Sequence, residues 1–343
     1  MKKTIIFLTI AVLTISCAAQ AKSKKGKNKE PEWLTNPKSV YPEQLYLTAI
    51  GEGDSRSEAE NYAAGNLSKI FEVKVDTDET FIQRYEELTR NEKTDFTESS
   101  DVTKKVNLQS GQTFYNLQFS ESYTDKLGRV YVLAYLNRFK TGELYEEKIN
   151  QNQEKISYYL DENEQTEDPL IKYAALTAAE TFSTQNEILL EQLDIISPET
   201  KEFLELNYNH NEIVKQTSNA AHNIKFRTEI EGDKENKIGI LIENLFTELG
   251  FVASQDNLLL IEGSVNFEET DLGRDDNYIF VRYDLQLTVK DTTGNVIAAL
   301  TEKGREGHAT FLEAKERCIR TINKKIENSL KKTIINYFNK LIT

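Results

Sequence analysis

The residues whose types could do chemistry are few in this chain of 343. Gly51-Glu52-Gly53 lies between an apolar run and a helical pattern, where a dinucleotide loop would cradle phosphate. Arg56 stands at the third glycine position, and no parallel β-α-β crossover follows, so the spacing does not point to a nucleotide. Gly53-Asp54-Ser55 has the form of a serine-hydrolase nucleophile block, which also needs an aspartate three residues before a histidine. Asn207, Asn219 and Arg305 occupy that position before His210, His222 and His308. Ser55 is therefore read as a helix cap. Cys17 and Cys318 are too few and too far apart for a disulfide scaffold, a zinc ribbon or an iron–sulfur centre. Cys318 sits in a helical apolar stripe without a nucleophile's signature and reads as an inert core thiol. His210 has no second histidine at metal-ligand spacing and reads as a packing residue. The 56 acidic residues offer carboxylate pairs everywhere, so none is singled out. With no P-loop, HExxH or EF-hand pattern, no catalytic residue, metal ligand or cofactor is assigned.

Cys17 has a second reading. Lys2 and Lys3 precede an uncharged apolar run from Thr4 to Ile15. Such a run is shorter than the ~20 residues a bilayer span requires and suits a signal-peptide core. Leu13-Thr14-Ile15-Ser16-Cys17 has the form of a lipobox, with Thr14 where leucine is usual. The expectation is a signal over residues 1–16, removed to leave a lipid-modified Cys17 that anchors the chain to a membrane. Ala19-Gln20-Ala21 offers the other cut, which would leave a periplasmic or secreted protein. Residues 17–30 then form a lysine-rich tether suited to anionic head groups. Removing the seven lysines of the first 29 residues from the net charge of −14 leaves −21 for residues 30–343. Nucleic acid is excluded as a partner for so acidic a body.

The elements that must carry these residues fall into three stretches. Pro31, Pro37 and Pro42 punctuate an extended lead-in containing Trp33 and Tyr41. Leu45 to Ile50 reads as a strand, Gly51 to Gly53 as a tight turn, and Ser55-Arg56-Ser57-Glu58 as the capping box of a helix. Period-two alternation from Val73 to Leu136 predicts an antiparallel meander, with a hairpin at Asp125 to Gly128. From Thr141 the period becomes 3.6. Asp168-Pro169 and Ser197-Pro198 mark two further helix starts, and His210 falls on the third helix. Residues 222–231 alternate as a strand, followed by a helix ending at Gly250 and strands over 257–267, 278–289 and 296–301. A long helix from about Thr310 to Leu341 closes the chain.

The string Pro31-Glu32-Trp33, Tyr46-Leu47-Thr48-Ala49-Ile50-Gly51-Glu52-Gly53, then Ala59, Ala63 and Leu67, resembles the Lpp-twenty lipoprotein family over residues 31–138. The same strand–GxG–helix start is similar to the N-terminal region of flagellar assembly protein T. The resemblance implies export and an envelope location, with the outer membrane favoured, and implies no reaction. Trp33, Tyr46, Gly51, Gly53, Ala59 and Ala63 are the family-motif positions, expected to be structural.

The expected architecture is α+β. Two modules of helix packed on antiparallel sheet, 31–140 and 222–343, are joined by a helical segment, 141–221, and end in a long C-terminal helix. The expected function is an exported, lipid-anchored envelope protein that contacts other envelope proteins in an assembly or scaffold role, with a flagellar basal-body association as its narrower form. The alternative is an envelope hydrolase with an unrecognised acidic active site.

Overall fold

The computed structural model describes residues 29–71, 79–90, 106–107, 113–271, 273 and 278–342. The signal segment, Cys17 and the tether up to residue 28 lie outside the described residues.

The first module opens with two single turns, α1 (Glu32–Thr35) and α2 (Pro37–Val40), the second with Pro37 at its first position. Strand β1 runs over Tyr46–Gly53, so Gly51 to Gly53 continue the strand instead of forming the expected tight turn. Helix α3 (Arg56–Ser68) begins at Ser55, whose Oγ accepts the Glu58 N–H at 3.2 Å, while Glu58 Oε2 accepts the Asp54 N–H at 2.8 Å. The predicted meander is interrupted by a helix, α4 (Glu79–Thr89). Phe81, Tyr85 and Leu88 repeat at helical spacing there, a period hidden within the longer alternating run. Short strands β2 (Val106–Asn107) and β3 (Thr113–Phe114) pair with each other. Strands β4 (Gln118–Phe119) and β5 (Tyr123–Thr124) pair with β6 (Val130–Asn137). The central pair is antiparallel β1–β6, in register from Tyr46↔Asn137 to Gly53↔Val130.

Two 28-residue helices follow, α5 (Arg138–Gln165) and α6 (Pro169–Ile196). Asp168 caps α6 as its sequence signalled, accepting the Leu170 N–H at 2.8 Å. Tyr145 and Ile149 of α5, with Leu189, Leu193 and Ile196 of α6, join the core of the first module. Ile156, Tyr159, Leu170, Ala174, Ala178 and Phe182 join the core of the second. Between these two apolar layers lie buried Asn152 and Asn186. Asn152 Nδ2 donates to Asn186 Oδ1 at 2.7 Å, and Asn186 Nδ2 donates to the Ile149 carbonyl at 3.1 Å.

The expected third helix is two. α7 (Pro198–Phe203) stops, and α8 (His210–Asn223) restarts at Asn209, whose side chain accepts the Glu212 N–H at 3.1 Å. Phe203 is 83% exposed, so no apolar stripe carries the helix across the gap. Because α8 extends to Asn223, the following strand β7 begins at Lys225 and runs to Glu231 instead of starting at His222.

Helix α9 (Lys237–Glu248) returns the chain to the same edge. The strands β8 (Val252–Ala253), β9 (Leu259–Thr270), β10 (Ile279–Asp291) and β11 (Val296–His308) complete a sheet ordered β11-β10-β9-β7-β8. β7 runs parallel to both β9 and β8, so this sheet is mixed, not wholly antiparallel. Parallel neighbours need a crossover connection, which α9 supplies between β7 and β8. The two hairpins share their chemistry: Asp125 Oδ1 accepts the N–H groups of Leu127 and Arg129, and Asp291 Oδ1 those of Thr293 and Asn295. Gly128 and Gly294 supply the positive φ each turn needs.

The C-terminal helix begins at Thr310, which accepts the Glu313 N–H. It consists of α10 (Phe311–Lys325), one π-turn (Ile326–Leu330) and α11 (Lys331–Lys340). Its buried stripe recurs at every fourth residue, through Ala314, Cys318, Ile322, Ile326, Leu330, Ile334, Phe338 and Ile342. An α-helix turns every 3.6 residues, so such a stripe drifts about 40° per step. The wider π-turn returns part of that drift. Accordingly α10 lies on β10 and β11, while α11 reaches α6 and α4.

Candidate functional site

Four of the six family-motif residues, Gly51, Gly53, Ala59 and Ala63, meet at one strand–helix contact. Strand alternation turns Leu47, Ala49, Gly51 and Gly53 towards α3 and Tyr46, Thr48, Ile50 and Glu52 to the opposite face. At Gly51 a Cβ would lie 2.1 Å from the Ala63 nitrogen and 2.3 Å from the Ala59 carbonyl oxygen. Only a hydrogen fits. Ala59 and Ala63 are fully buried at this crossing. A Cβ on Gly53 would meet the Ala59 nitrogen and the Glu58 side chain at 2.9 Å. The glycines and alanines of the motif are thus the two halves of one backbone approach. Tyr46 lies across the sheet from it, where its ring meets Tyr41 at 5.3 Å and Tyr135 at 6.0 Å. Trp33 is half-buried in α1.

Beside this contact the surface forms a groove of about 530 Å³, with Leu34, Asp54, Tyr62, Asn66, Arg129 and Tyr131 among its walls. Asn66 Nδ2 donates to the Ile50 carbonyl at 2.9 Å, and Arg129 lies 3.5 Å from Glu52. A second groove of about 420 Å³ shares Leu34 and Tyr131 and extends to the hairpin tip, where Leu127 is 90% exposed. Aromatic edges, one exposed leucine and solvated charges suit contact with another macromolecule. Ser55 is engaged at the helix start, as its capping pattern implied.

The remaining reactive types have local roles. Cys318 is fully buried and its Sγ donates to the Val281 carbonyl at 3.4 Å; burial pushes its thiol up to about 11. His210 Nδ1 is 2.9 Å from Ser183 Oγ, at the first position of α8 and not along an apolar stripe. His222 Nδ1 lies against the Ser218 carbonyl, and His308 Nδ1 against Glu313. Among the described residues no group of three or more His, Cys, Asp or Glu could hold a metal ion, and no helix is long and apolar enough to cross a membrane.

One site was missed in the sequence. A cleft of about 580 Å³ between α4, α6 and α8 contains Arg84 and Glu180. Its signal was present: Glu180 is the only charged residue between Lys172 and Glu187, on an Ala-rich helix.

Among solved structures, a secreted protein of Helicobacter pylori is similar at 13% identity, covering 85% of this chain and 97% of its own, with a TM-score of 0.42. A minor lipoprotein of Acinetobacter baumannii is similar at 15% identity, covering 31% of this chain and 91% of its own, with a TM-score of 0.27. No curated protein matches the chain. Residues 31–137, which hold the Gly51–Ala59–Ala63 contact, match the family described as LPP20 lipoprotein, in agreement with the motifs on which the resemblance was read.

Proposed function

We propose that this is a non-catalytic envelope protein, held to a membrane by lipid on Cys17 and working through contact with other envelope proteins in an assembly or scaffold role. The family match over residues 31–137 supports an envelope lipoprotein. The observation that carries the contact role is the use of the motif: its glycines and alanines are consumed by strand–helix packing, leaving no reactive group at the family's own positions. An outer-membrane location and a basal-body association are narrower forms of the same proposal. They rest on the resemblance, and fold-level likeness does not transfer a role. Residues 31–140, 141–221 and 222–343 are proposed as the corresponding units.

The hydrolase alternative has one observation in its favour. Burial raises the pKa of Glu180 despite the opposing hydrogen bond of Thr217 and charges of Arg84 and His210, the kind of shift a catalytic acid needs. Photo-cross-linkers placed at Leu127 and Tyr62 in living cells separate the two readings. Capture of one defined envelope protein from both positions, and not from exposed Phe203, is the expected result. Indiscriminate capture at all three, together with turnover of a cell-wall substrate by the purified protein, would overturn the contact reading. Replacing Cys17 with serine is expected to move the protein from the membrane fraction to the soluble one.

A further inference from the structure

The cleft between α4, α6 and α8 holds two opposite charges that do not pair with each other. Arg84 comes from α4 and Glu180 from α6, and both line the same space of about 580 Å³. Arg84 Nε is fully shielded from solvent yet has no hydrogen-bond acceptor among the described residues, while the guanidinium also lies by the Tyr173 hydroxyl. A buried donor left in that state costs on the order of 1–3 kcal/mol. Oppositely charged side chains that share a low-dielectric cleft gain by closing on one another unless something else belongs between them. The polar lining around Glu180 is rich in threonine. Thr177 and Thr181 spend their hydroxyl hydrogens on helix carbonyls, donating to Tyr173 and Thr177, which leaves their oxygens as acceptors. The Thr217 hydroxyl lies against the Glu180 carboxyl and within reach of the Ile213 carbonyl. The wall also holds Thr80, Tyr173, Thr184 and Ser218, and its apolar part is Phe81, Val214, Ala221 and Leu249. Glu248, at the rim, is already engaged with Lys331 at 3.8 Å.

We propose that this cleft binds a small zwitterion of the amino-acid class, whose carboxylate meets the Arg84 guanidinium, whose ammonium meets Glu180 and the threonine oxygens, and whose apolar side chain lies on Phe81, Val214 and Leu249. A planar guanidinium matches a carboxylate in a way no other side chain does. A ligand with both charges leaves each partner neutralised. It also carries no net charge, so the −21 of residues 30–343 does not repel it. Desolvation raises the Glu180 carboxyl, which agrees with a group awaiting a cation.

The test is titration calorimetry of the purified full chain with leucine, N-acetylleucine and leucinamide. Leucine is expected to bind saturably, and each capped derivative to bind at least about tenfold more weakly. Glu180→Gln is expected to abolish the discrimination against N-acetylleucine, and Arg84→Gln the discrimination against leucinamide. Thermal unfolding checks that both variants retain the fold; if Arg84→Gln does not, Arg84→Lys replaces it. The capped derivatives on the unaltered chain carry the test independently of either variant. Absence of saturable binding of leucine, phenylalanine and alanine up to roughly 10 mM would overturn the proposal, as would equal binding of the capped and free forms.

Discussion

The two cores, separated by the Asn152–Asn186 pair, differ in how a helix meets its sheet. At the first, strand β1 and helix α3 approach until Gly51 touches the backbone of Ala59 and Ala63, so small residues pack that crossing. The rings of Phe71 and Phe114, 4.7 Å apart, fill the space beside it. At the second, strands of 12 and 13 residues face a long helix, and large rings fill the space. Phe226 meets Phe246 at 5.0 Å, and Phe338 meets Tyr173 at 4.9 Å and Phe251 at 5.9 Å. A close-packed interior leaves no room for a side chain at the first crossing and no filler for a ring lost from the second core. The β1–α3 crossing should therefore be intolerant of addition and the second core of removal.

The largest expected effect is at the second core. Phe338→Ala removes a ring that is 2% exposed and should cost about 3–5 kcal/mol in denaturant unfolding. Labelling of Cys318 reports which core opens: the thiol should stay unreactive at pH 8 in the native protein and become accessible early in the variant. At the first core Gly51→Ala adds only a methyl group, yet α3 must shift to admit it. A loss of about 1–3 kcal/mol is expected, without early exposure of Cys318. Equal labelling in both variants would mean that the two cores unfold as one. The Asn152–Asn186 layer sharpens the point. Asn186→Ala strands the Asn152 amide in a buried position and should cost about 1–3 kcal/mol, seen as lost cooperativity between the two transitions. Gly65→Ala in α3 reverses the sign. Nothing lies within 4 Å of the added Cβ, and about 0.5–1 kcal/mol of stabilisation is expected in thermal melts. The smallest effect is a cut without unfolding. Limited proteolysis near residues 200–222 should leave a C-terminal fragment still bound to α6, because Ala174 and Phe182 belong to the core it carries.

The sequence was most readable where a local signal and the tertiary contact agree. Ser55 and Asp168 each cap the helix their pattern announced, the last helix starts at Thr310, and Asp125 closes its hairpin as expected, a chemistry that Asp291 repeats. Around Gly51 the reading was partial: the tight turn expected over Gly51 to Gly53 is the end of β1, and the close approach to Ala59 and Ala63 depends on how that strand and α3 cross. Three features were not legible. Helix α4 leaves its own module: Tyr85 packs on Phe182 at 5.8 Å, and Glu87 Oε2 accepts a bond from Asn339 at 3.0 Å. No local period reveals a distant receiving surface. The direction of β7 depends on where α9 returns the chain, not on the residues of the strand. The Arg84–Glu180 cleft joins elements almost a hundred residues apart, so spacing rules could not assemble it.

The π-turn at Ile326–Leu330 bears on how this chain can change length. Such a turn is geometrically an α-helix holding one surplus residue. Deleting a single position there, Asn328 for example, would leave α10 and α11 as one regular helix with its backbone hydrogen bonds intact. It would also leave Ile334 and Phe338 close to the face they now present, because the remaining residues tighten to about 100° each and recover most of the rotation that the lost residue supplied. The same deletion within α10 or α11 would instead turn everything beyond it by about 100°. Single-residue length differences among relatives with this helix should therefore fall in this turn.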